Sequence, residues 1–321
     1  MSEPVAIIDC GTNTIRLLIA ESDRRGGLSE LDRRMQIVRL GQGVDATGSF
    51  HPDALQRTFA ATADFAAVIA EHGVGPDRIR FVATSASRDV SNRGDFFAGV
   101  EQRLGVTPQV ITGDEEARLS FAGALAGADR PDNPVLVTDI GGGSTELITG
   151  DAGGLIIGDA GNPQPNVRSA ISLDIGSVRV TERFWTTDPP GADDLARAAR
   201  YVDDQLARSM IDFSAVGTWI GVAGTLTTMA ALDLQLTTYD RKLVHGHLIG
   251  RDRVIAIGDE LATHSSEAIR QQGIVHPQRA DVITAGALIA GRIAARLTVP
   301  ALLVSESDIL DGAALALLSQ M

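Results

Sequence analysis

The chain has 321 residues, 44% of them hydrophobic, and a formal net charge of −13 at pH 7. This length suffices for roughly two domains with a substantial core. The acidic balance argues against broad binding to a nucleic acid polymer, because proteins of that class usually carry a basic face. It is compatible with a smaller phosphate-rich substrate, since backbone amides, a few arginines and Mg²⁺ bind phosphate locally.

The composition also argues against membrane insertion and disulfide bonding. The longest apolar run near the end of the chain, residues 282–291, is far short of the ~20 residues that span a bilayer. Cys10 is the single cysteine, which rules out an intrachain disulfide and a thiolate metal cluster. The first strand begins at Val5 and leaves no room for a signal peptide, so we expect a cytoplasmic protein with no membrane partner.

The first part of the chain predicts a mixed sheet, because its opening strands form hairpins. The predicted strands are 5–8, 15–20, 35–40, 79–83 and 109–111. A helix is expected from Pro52 to Gly73. Its predicted apolar face consists of Leu55, Phe59, Ala63, Ala66 and Ile69. A polar loop at 84–88 and a helix at 95–104 separate the last two strands.

The next helix is predicted to begin at Thr112 and run toward Gly127. Residues 112–115 match a capping box, in which the Glu115 carboxylate returns to the backbone of the cap. Residues 129–134 (DRPDNP) are the best candidate for a domain boundary. We therefore predict an N-terminal domain at 1–128 and a C-terminal domain at 129–321.

The second domain restarts the strand–loop–strand pattern. Its predicted strands are 135–138, 147–149, 171–174, 219–222 and 301–304. Residues 150–169, rich in Gly, Asn and Pro, predict a long loop. An amphipathic helix is expected at 192–213 and a buried helix at 281–297. A final helix from about Asp311 is a candidate to pack back on the first domain.

Each domain opens with an apolar strand, an aspartate and a glycine-rich loop. The loops are residues 9–14 (DCGTNT) and 139–146 (DIGGGSTE). Glycines let a backbone approach phosphate oxygens and turn N–H groups toward them, and hydroxyls such as those of Thr12, Ser144 and Thr145 add donors. The alternative is that the glycines only supply turn geometry in two tight hairpins. The repetition favours one phosphate-binding device used twice.

Asp9 and Asp139 stand at the strand ends, too close to a bound phosphate to contact it directly. A carboxylate in this place suits a cation, or the waters of a cation, that bridges to phosphate. The expected cofactor is Mg²⁺, with other divalent cations as alternatives.

Glu116 is the candidate general base. If Glu115 serves the cap, Glu116 is left to orient and deprotonate a water in line with a terminal phosphoryl group. The alternative is that both glutamates only complement the helix dipole.

Arg16 and Arg88 are candidate phosphate clamps, because a guanidinium matches phosphate oxygens in geometry. For either arginine alone, a solvated surface residue is the competing interpretation. His245 and His247 could be ligands or a proton relay, but no nearby Cys or Glu completes a metal set, which favours a structural role.

Together these motifs resemble the exopolyphosphatase / guanosine-pentaphosphate phosphohydrolase (Ppx/GppA) family, and the resemblance covers essentially the whole chain in order. The stretches that carry it are 9–16, 84–88, 113–118, 139–146, 175–182, 221–225, 244–246 and 305–312. The resemblance implies two actin-like (ribonuclease H-like, ASKHA superfamily) α/β domains with mixed sheets and an interdomain cleft. It also implies Mg²⁺-dependent release of orthophosphate from inorganic polyphosphate. The chain is similar to the short form, without the C-terminal helical domains of longer members.

The resemblance maps the general base to Glu116 rather than Glu115, and assigns Asp139 and the glycines after it to the phosphate site. The candidate phosphate-binding residues are Gly11, Thr12, Asn13, Arg16, Ser87, Arg88, Gly141, Gly142, Gly143, Ser144 and Thr145. The candidate cation ligands are Asp9, Asp139 and Glu146.

Three other functions are compatible with the motifs. The first is hydrolysis of guanosine pentaphosphate (pppGpp), which needs a nucleoside pocket, although the two tyrosines and two tryptophans leave few residues for base stacking. The second is an actin-like nucleotide-binding switch without turnover, which needs no base at Glu116. The third is a kinase of the same superfamily, for which no acceptor aspartate stands out. A homodimer is a further expectation.

Overall fold

The computed structural model describes residues 3–23, 27–84, 87, 90–126, 128, 131–157 and 163–321, with backbone alone for 45–46, 153–157 and 163–165. The chain divides into two compact units. Unit 1 comprises Met1–Ala126 and Ile309–Met321, and unit 2 comprises Gly127–Asp308. The last helix therefore belongs to the same unit as the first strand.

The strands are β1 Val5–Cys10, β2 Thr14–Ser22, β3 Leu28–Ile37, β4 Ile79–Ala83, β5 Gln109–Val110, β6 Val135–Ile140, β7 Thr145–Ile157, β8 Pro163–Leu173, β9 Thr218–Val222, β10 Leu248–Gly250 and β11 Ala301–Val304. The helices are α1 Val44–Thr47, α2 Pro52–Glu71, α3 Arg93–Leu104, α4 Gly113–Ala126, α5 Ser177–Phe184, α6 Ala192–Arg208, α7 Ala223–Asp233, α8 Arg241–Val244, α9 Arg251–Ala262, α10 Ser266–Gln271, α11 Ile283–Ala294 and α12 Ile309–Leu318.

Unit 1 is built on a mixed sheet with strand order β3-β2-β1-β4-β5. The pairs β1–β2 and β2–β3 are antiparallel, whereas β1–β4 and β4–β5 are parallel. The mixed sheet predicted from the opening hairpins is confirmed. Because β1, β4 and β5 are parallel, the segments that follow them emerge at one edge of the sheet.

Both faces of the central strand β1 are buried, as expected where helices cover a strand on each side. Ile8 and Cys10 of β1 pack with Phe65 of α2 and Phe96 of α3. The alternate residues of β1, including Ile7, point the other way and pack with apolar residues of α4 and α12. The C-terminal helix thus supplies part of the core under the N-terminal strand.

The α2 helix begins at Pro52 and is followed by Gly73 at φ 69°, as the sequence predicts, but its predicted apolar face is partly wrong. Ala63 is exposed and Phe59 is half-buried. Thr58 and Thr62 are buried instead, and their hydroxyls donate to the carbonyl oxygens of Ala54 and Thr58 at 2.8 Å. A threonine that satisfies its hydroxyl in this way is tolerated in an apolar face.

Unit 2 is built on a sheet with strand order β10-β11-β9-β6-β7-β8. The central pairs β6–β9 and β9–β11 are parallel, and the flanking pairs are antiparallel. Its apolar core includes residues of α6, α7, α9 and α11. Trp219 is fully buried there and donates its indole N–H to the Thr138 hydroxyl at 3.0 Å.

The loop predicted at 150–169 is wrong over most of its length. Residues up to Ile157 continue β7, and β8 begins at Pro163, with registers that pair Leu155 with Pro165. Residues 158–162 lie outside the described residues. The strand β8 lies at the edge of the sheet, where proline is tolerated because the ladder does not need its N–H.

Most other predicted elements agree with the structure to within a few residues, although the helix predicted at 192–213 ends at Arg208 and the strand predicted at 35–40 is β3, which begins seven residues earlier, at Leu28. The elements without a sequence prediction are β10, α1, α5, α7, α8, α9 and α10. Among the described residues, no helix combines the length and apolar character that a membrane crossing requires.

Candidate functional site

The two predicted phosphate loops are the turns of two hairpins with the same geometry. In β1–β2 the loop is closed by a hydrogen bond from the Gly11 N–H to the Thr14 carbonyl oxygen at 3.0 Å. In β6–β7 the Gly141 N–H donates to the Ser144 carbonyl oxygen, also at 3.0 Å. The strand registers match as well, so the repeat seen in the sequence is a repeat in structure.

Turn geometry does not explain the glycines of these loops. Gly11, Gly141, Gly142 and Gly143 do not adopt positive φ, the region in which glycine is favoured over other residues. A Cβ added at Gly143 would meet nothing closer than 3.9 Å. The absence of side chains leaves the backbone of the second loop open to close approach, as phosphate binding requires.

Asp9 lies opposite Arg16 across the first hairpin. Its carboxylate is buried, with 4% of the residue exposed, and Oδ2 accepts from Arg16 Nε at 3.0 Å and from the other guanidinium nitrogen, Nη2, at 2.6 Å. The structure therefore pairs the predicted cation ligand with the predicted phosphate clamp. A guanidinium at this distance supplies the positive charge that a cation would bring, so neither role is evident here and both stay predictions.

Asp139 lies opposite Glu146 across the second hairpin. Directly opposed residues place their side chains on the same face of a sheet, with Cβ atoms about 4.5–5.5 Å apart. Glu146 Oε1 accepts from the hydroxyls of Ser144 at 2.6 Å and Ser172 at 2.8 Å, which fixes its carboxylate. Two half-buried carboxylates on one face, next to a phosphate loop, suit Mg²⁺, which commonly binds one or two carboxylates and completes its shell with water and phosphate oxygen.

The predicted hydroxyl donors of the second loop are used within the protein. Thr145 is fully buried and donates its proton to the Ile175 carbonyl oxygen. The Ser144 hydroxyl donates to Glu146. Phosphate binding at this loop would therefore depend on backbone N–H groups, and the contribution predicted for the two hydroxyls is not evident in their contacts.

The carboxyl edge of the unit 1 sheet brings the first loop, Thr84 and α4 side by side. Each follows one of the adjacent parallel strands β1, β4 and β5. Since neighbouring strands lie about 4.8 Å apart, the segments after β1 and β5 begin about 10 Å from each other. Ser87 is fully buried and its hydroxyl has no hydrogen-bond partner among the described residues. Arg88 lies outside the described residues, and both phosphate-binding assignments stay predictions.

Helix α4 presents Glu116 in its first turn. The Thr112 carbonyl oxygen accepts the Glu116 N–H at 2.9 Å, and the Thr112 hydroxyl accepts the Glu115 N–H at 3.2 Å, so Thr112 is the cap. The second half of the predicted capping box is wrong: the Glu115 carboxylate accepts from Arg80 of β4 at 2.6 Å, a stronger, charge-assisted bond. Glu116 is half-buried beside it. Glu115 is ion-paired with Arg80, and the role of Glu116 as general base stays a prediction.

The two histidines considered from sequence contact other protein groups. His245 Nδ1 accepts the Glu306 N–H at 3.1 Å, and His247 Nε2 lies 2.7 Å from Asp233 Oδ2. Within the described part of the chain, no group of three or more His, Cys, Asp or Glu side chains is arranged to hold a metal.

Sequence reasoning missed several residues that support the site. Ser172 orients Glu146 and Arg80 holds Glu115, but each comes from a different strand, and single-residue patterns carry no signal for such contacts. Gly176 and Arg179 pack against the second loop. Both residues belong to the stretch 175–182, one of those that carried the family resemblance. That resemblance was the one sequence signal pointing to them, and it assigned them no role.

Comparisons with known proteins agree with these motifs. The profile of the Ppx/GppA phosphatase family matches residues 18–320. Exopolyphosphatase 2 of Mycobacterium tuberculosis is 41% identical over 327 aligned residues, 98% of each chain. A crystal structure of an exopolyphosphatase-like protein superposes with a TM-score of 0.86 at 41% identity over 98% of each chain. The Aquifex aeolicus member of the Ppx/GppA protein family gives 0.84 at 30% identity, over 99% of this chain and 98% of that one.

Proposed function

Because the chain belongs to the Ppx/GppA phosphatase family, we propose that it is an exopolyphosphatase, which hydrolyses the terminal phosphoanhydride bond of inorganic polyphosphate and releases orthophosphate. The similarity to a named exopolyphosphatase over 98% of both chains supports this substrate. The α/β fold with two mixed sheets is that expected for the family.

One observation carries the proposal: the first glycine-rich loop and Glu116 stand along the same sheet edge of unit 1. Glu115 is ion-paired with Arg80, whereas Glu116 follows it in the first turn of α4. A switch that binds phosphate without turnover has no use for a carboxylate in this place.

In the proposed reaction Glu116 accepts a proton from water, and the water oxygen forms a bond to the terminal phosphorus. The bond from that phosphorus to the bridging oxygen breaks, and the shortened polyphosphate leaves with the electron pair. The backbone N–H groups of the loops stabilise the charge on the phosphoryl oxygens. Asp139 and Glu146 are the residues that would hold Mg²⁺, which supplies charge neutralisation to the phosphates when bound.

The test compares Glu116→Gln with Glu115→Gln. Glutamine keeps the size of the side chain but cannot take the proton, so Glu116→Gln should lower kcat on polyphosphate by about 10²- to 10⁴-fold. Binding of polyphosphate, measured by calorimetry, should persist. Glu115→Gln is the matched control in the same helical turn and should keep turnover near that of the parent protein. Equal kcat values for both variants and the parent would overturn the assignment of Glu116.

The proposed cation is tested by removing it. Dialysis against a chelator should abolish orthophosphate release and added Mg²⁺ should restore it, because the carboxylates of Asp139 and Glu146 are proposed to bind the cation. Asp139→Asn should raise the Mg²⁺ concentration needed for half-maximal activity, since one carboxylate ligand is lost. Full activity in the chelated protein would contradict the role of Mg²⁺.

Guanosine pentaphosphate is the alternative substrate. It ranks second because the groups described at the site, backbone amides and carboxylates, suit phosphate or a cation and none of them suits a guanine base. Orthophosphate release should be faster from polyphosphate than from guanosine pentaphosphate or ATP at equal concentrations. A preference for the guanosine nucleotide would reverse the ranking. Cytoplasmic location and homodimer formation stay predictions, the second to be checked by light scattering.

A further inference from the structure

Three carbonyl groups of the second loop, those of Gly141, Gly142 and Gly143, face the start of helix α5. The Gly141 oxygen accepts the Ser177 N–H at 2.9 Å. The Gly142 oxygen accepts the N–H groups of Val178 at 2.9 Å and Arg179 at 3.1 Å. The backbone N–H groups at the start of α5 are therefore occupied by the loop rather than by an external anion.

A side chain completes this set of bonds. Arg179 Nε donates to the Gly143 carbonyl oxygen at 2.8 Å. Three consecutive carbonyls of the loop are thus held by the segment 176–179, here called the backing segment.

The orientation of the carbonyls decides that of the amides. In a planar trans peptide the C=O and the following N–H point in opposite directions. With the oxygens of Gly141, Gly142 and Gly143 turned toward the backing segment, the N–H groups of Gly142, Gly143 and Ser144 are turned away from it. Successive N–H groups on one side of a loop form the concave donor set that binds anions.

The first loop is held in a similar way by residues 38–41. The Thr12 oxygen accepts the Gly41 N–H at 2.8 Å. The Asn13 oxygen accepts the N–H groups of Val38 at 3.0 Å and Arg39 at 2.8 Å. Capture of loop carbonyls by a distant segment is therefore a repeated feature of the two hairpins rather than an accident of one.

Gly176 is required at the backing segment because of space, not because of its backbone angles. Its φ of −121° and ψ of 163° are extended values that any residue adopts. A Cβ at this position would lie 2.3 Å from the Gly142 carbonyl oxygen. Any side chain here would push the second loop away from α5.

We infer that the backing segment is a positioning element of the phosphate site: Gly176 and Arg179 hold the carbonyls of the second loop so that its amides face the substrate. This inference rests on the proposed function, which makes the loop a phosphate site. In this inference both residues act through the loop rather than by contact with the substrate.

Arg179→Gln and Arg183→Gln form the first matched pair. Both arginines lie on α5, but Arg183 packs over the Tyr201 ring, 4.3 Å from its centroid. Loss of the Nε donor should lower kcat/KM on polyphosphate about tenfold, mostly through a higher KM, because a single charge-assisted hydrogen bond orients the Gly143 peptide. Arg183→Gln should match the parent protein, and both variants should unfold at similar temperatures. Equal kinetics for the two variants would overturn the role of Arg179.

Gly176→Ala and Gly191→Ala form the second pair, since both glycines precede a helix with extended angles. A Cβ at Gly191 would meet only the Thr187 hydroxyl, at 3.9 Å, so that variant should behave as the parent protein. Gly176→Ala should raise KM at least as much as Arg179→Gln. An unchanged KM in a folded Gly176→Ala protein would contradict the inference.

Amide spectra of glycine-labelled protein separate failure of the inference from failure of the proposed function. Pyrophosphate should shift the N–H resonances of Gly142 and Gly143 in the parent protein and shift them much less in Arg179→Gln. Equal shifts in both proteins would overturn the positioning role while leaving the phosphate loop intact. No shift in the parent protein, together with no orthophosphate release from polyphosphate, would instead overturn the proposed function on which the inference depends.

Discussion

Asp9 and Asp139 occupy the same position in two hairpins but differ in the residue across the strand pair. Asp9 faces Arg16, and the two charges cancel at 2.6 Å. Asp139 faces Glu146, a second carboxylate on the same face of the sheet. This asymmetry favours the second hairpin as the place of the cation, although the sequence motif alone treats the two aspartates as equivalent.

The partners of Asp9 and Asp139 could have been read from the register. Once each glycine turn is placed, counting outward from the loop sets residue 9 opposite 16 and residue 139 opposite 146. The Arg80–Glu115 pair could not have been predicted from strand register, because it joins a strand to a helix 35 residues later in the chain.

Asp194, at the start of α6, gives a pH-dependent prediction. Hydrogen bonds from the Thr186 N–H and hydroxyl, both at 2.8 Å, and the nearby Arg197 hold the pKa of Asp194 below its ordinary value. A lowered pKa in the folded protein means that the carboxylate stabilises the fold above the unfolded-state pKa, about 3.9, and that this contribution is lost as the pH falls through the folded value. Asp194→Asn should therefore destabilise the protein more at pH 7 than at pH 3, which lies below the unfolded-state pKa.

Urea unfolding followed by tryptophan fluorescence at both pH values measures the effect. Asp193→Asn is the control, since Asp193 is exposed in the same helical turn and shares the helix dipole. If Asp193→Asn and Asp194→Asn lose the same stability at pH 7, the bonds to Thr186 are not the cause.

At the scale of elements, strands with continuous apolar runs were predicted well because burial on both faces leaves no polar alternation to interpret. β11 is predicted to the residue, and β1 and β6 to within two residues. The predictions were wrong where the local amino-acid composition does not match the structural environment of the segment. The Gly-, Asn- and Pro-rich stretch 150–169 forms strands because it lies at a sheet edge, and α2 buries threonines that no hydrophobicity pattern would select.

The contact between α4 and α12 is a close helix crossing that depends on Gly312. A Cβ at Gly312 would lie 1.9 Å from the Leu119 carbonyl oxygen and 3.1 Å from the Gly123 nitrogen. Gly312→Ala should therefore destabilise unit 1 by about 1–3 kcal/mol, because backbone atoms cannot yield as a flexible side chain would. Since α4 carries Glu116, activity should fall in parallel.

Gly94→Ala is the control for Gly312→Ala, because a Cβ at Gly94 in α3 would meet nothing within 4 Å. That variant should be neutral or more stable by up to about 1 kcal/mol. Denaturation in urea, followed by circular dichroism, compares the two. Equal stability of both alanine variants would show that α4 and α12 can move apart without loss of unfolding free energy.

At the scale of the whole molecule, the two ends of the chain meet in unit 1. Local patterns predicted a final helix from about Asp311, but the periodicity of a helix does not state which partner its apolar face covers. α12 completes the core beneath β1, with Leu310 and Ala313 packed near Ile7 and Val5. The family resemblance gave the two-domain α/β fold, and the structure and comparisons confirm that fold.

Removal of residues 309–321 should therefore unfold or loosen the N-terminal unit while leaving unit 2 folded. Two intrinsic probes separate the units. Cys10 is the single cysteine and lies in β1, where burial raises the pKa of its thiol, so it should resist iodoacetamide in the full chain and react in the truncated one. Trp185 and Trp219 both lie in unit 2, so their fluorescence transition in urea should persist. Loss of the Trp transition would show that unit 2 depends on unit 1 for folding. A thiol still protected in the truncated chain would show that β1 and α4 keep their core without the last helix.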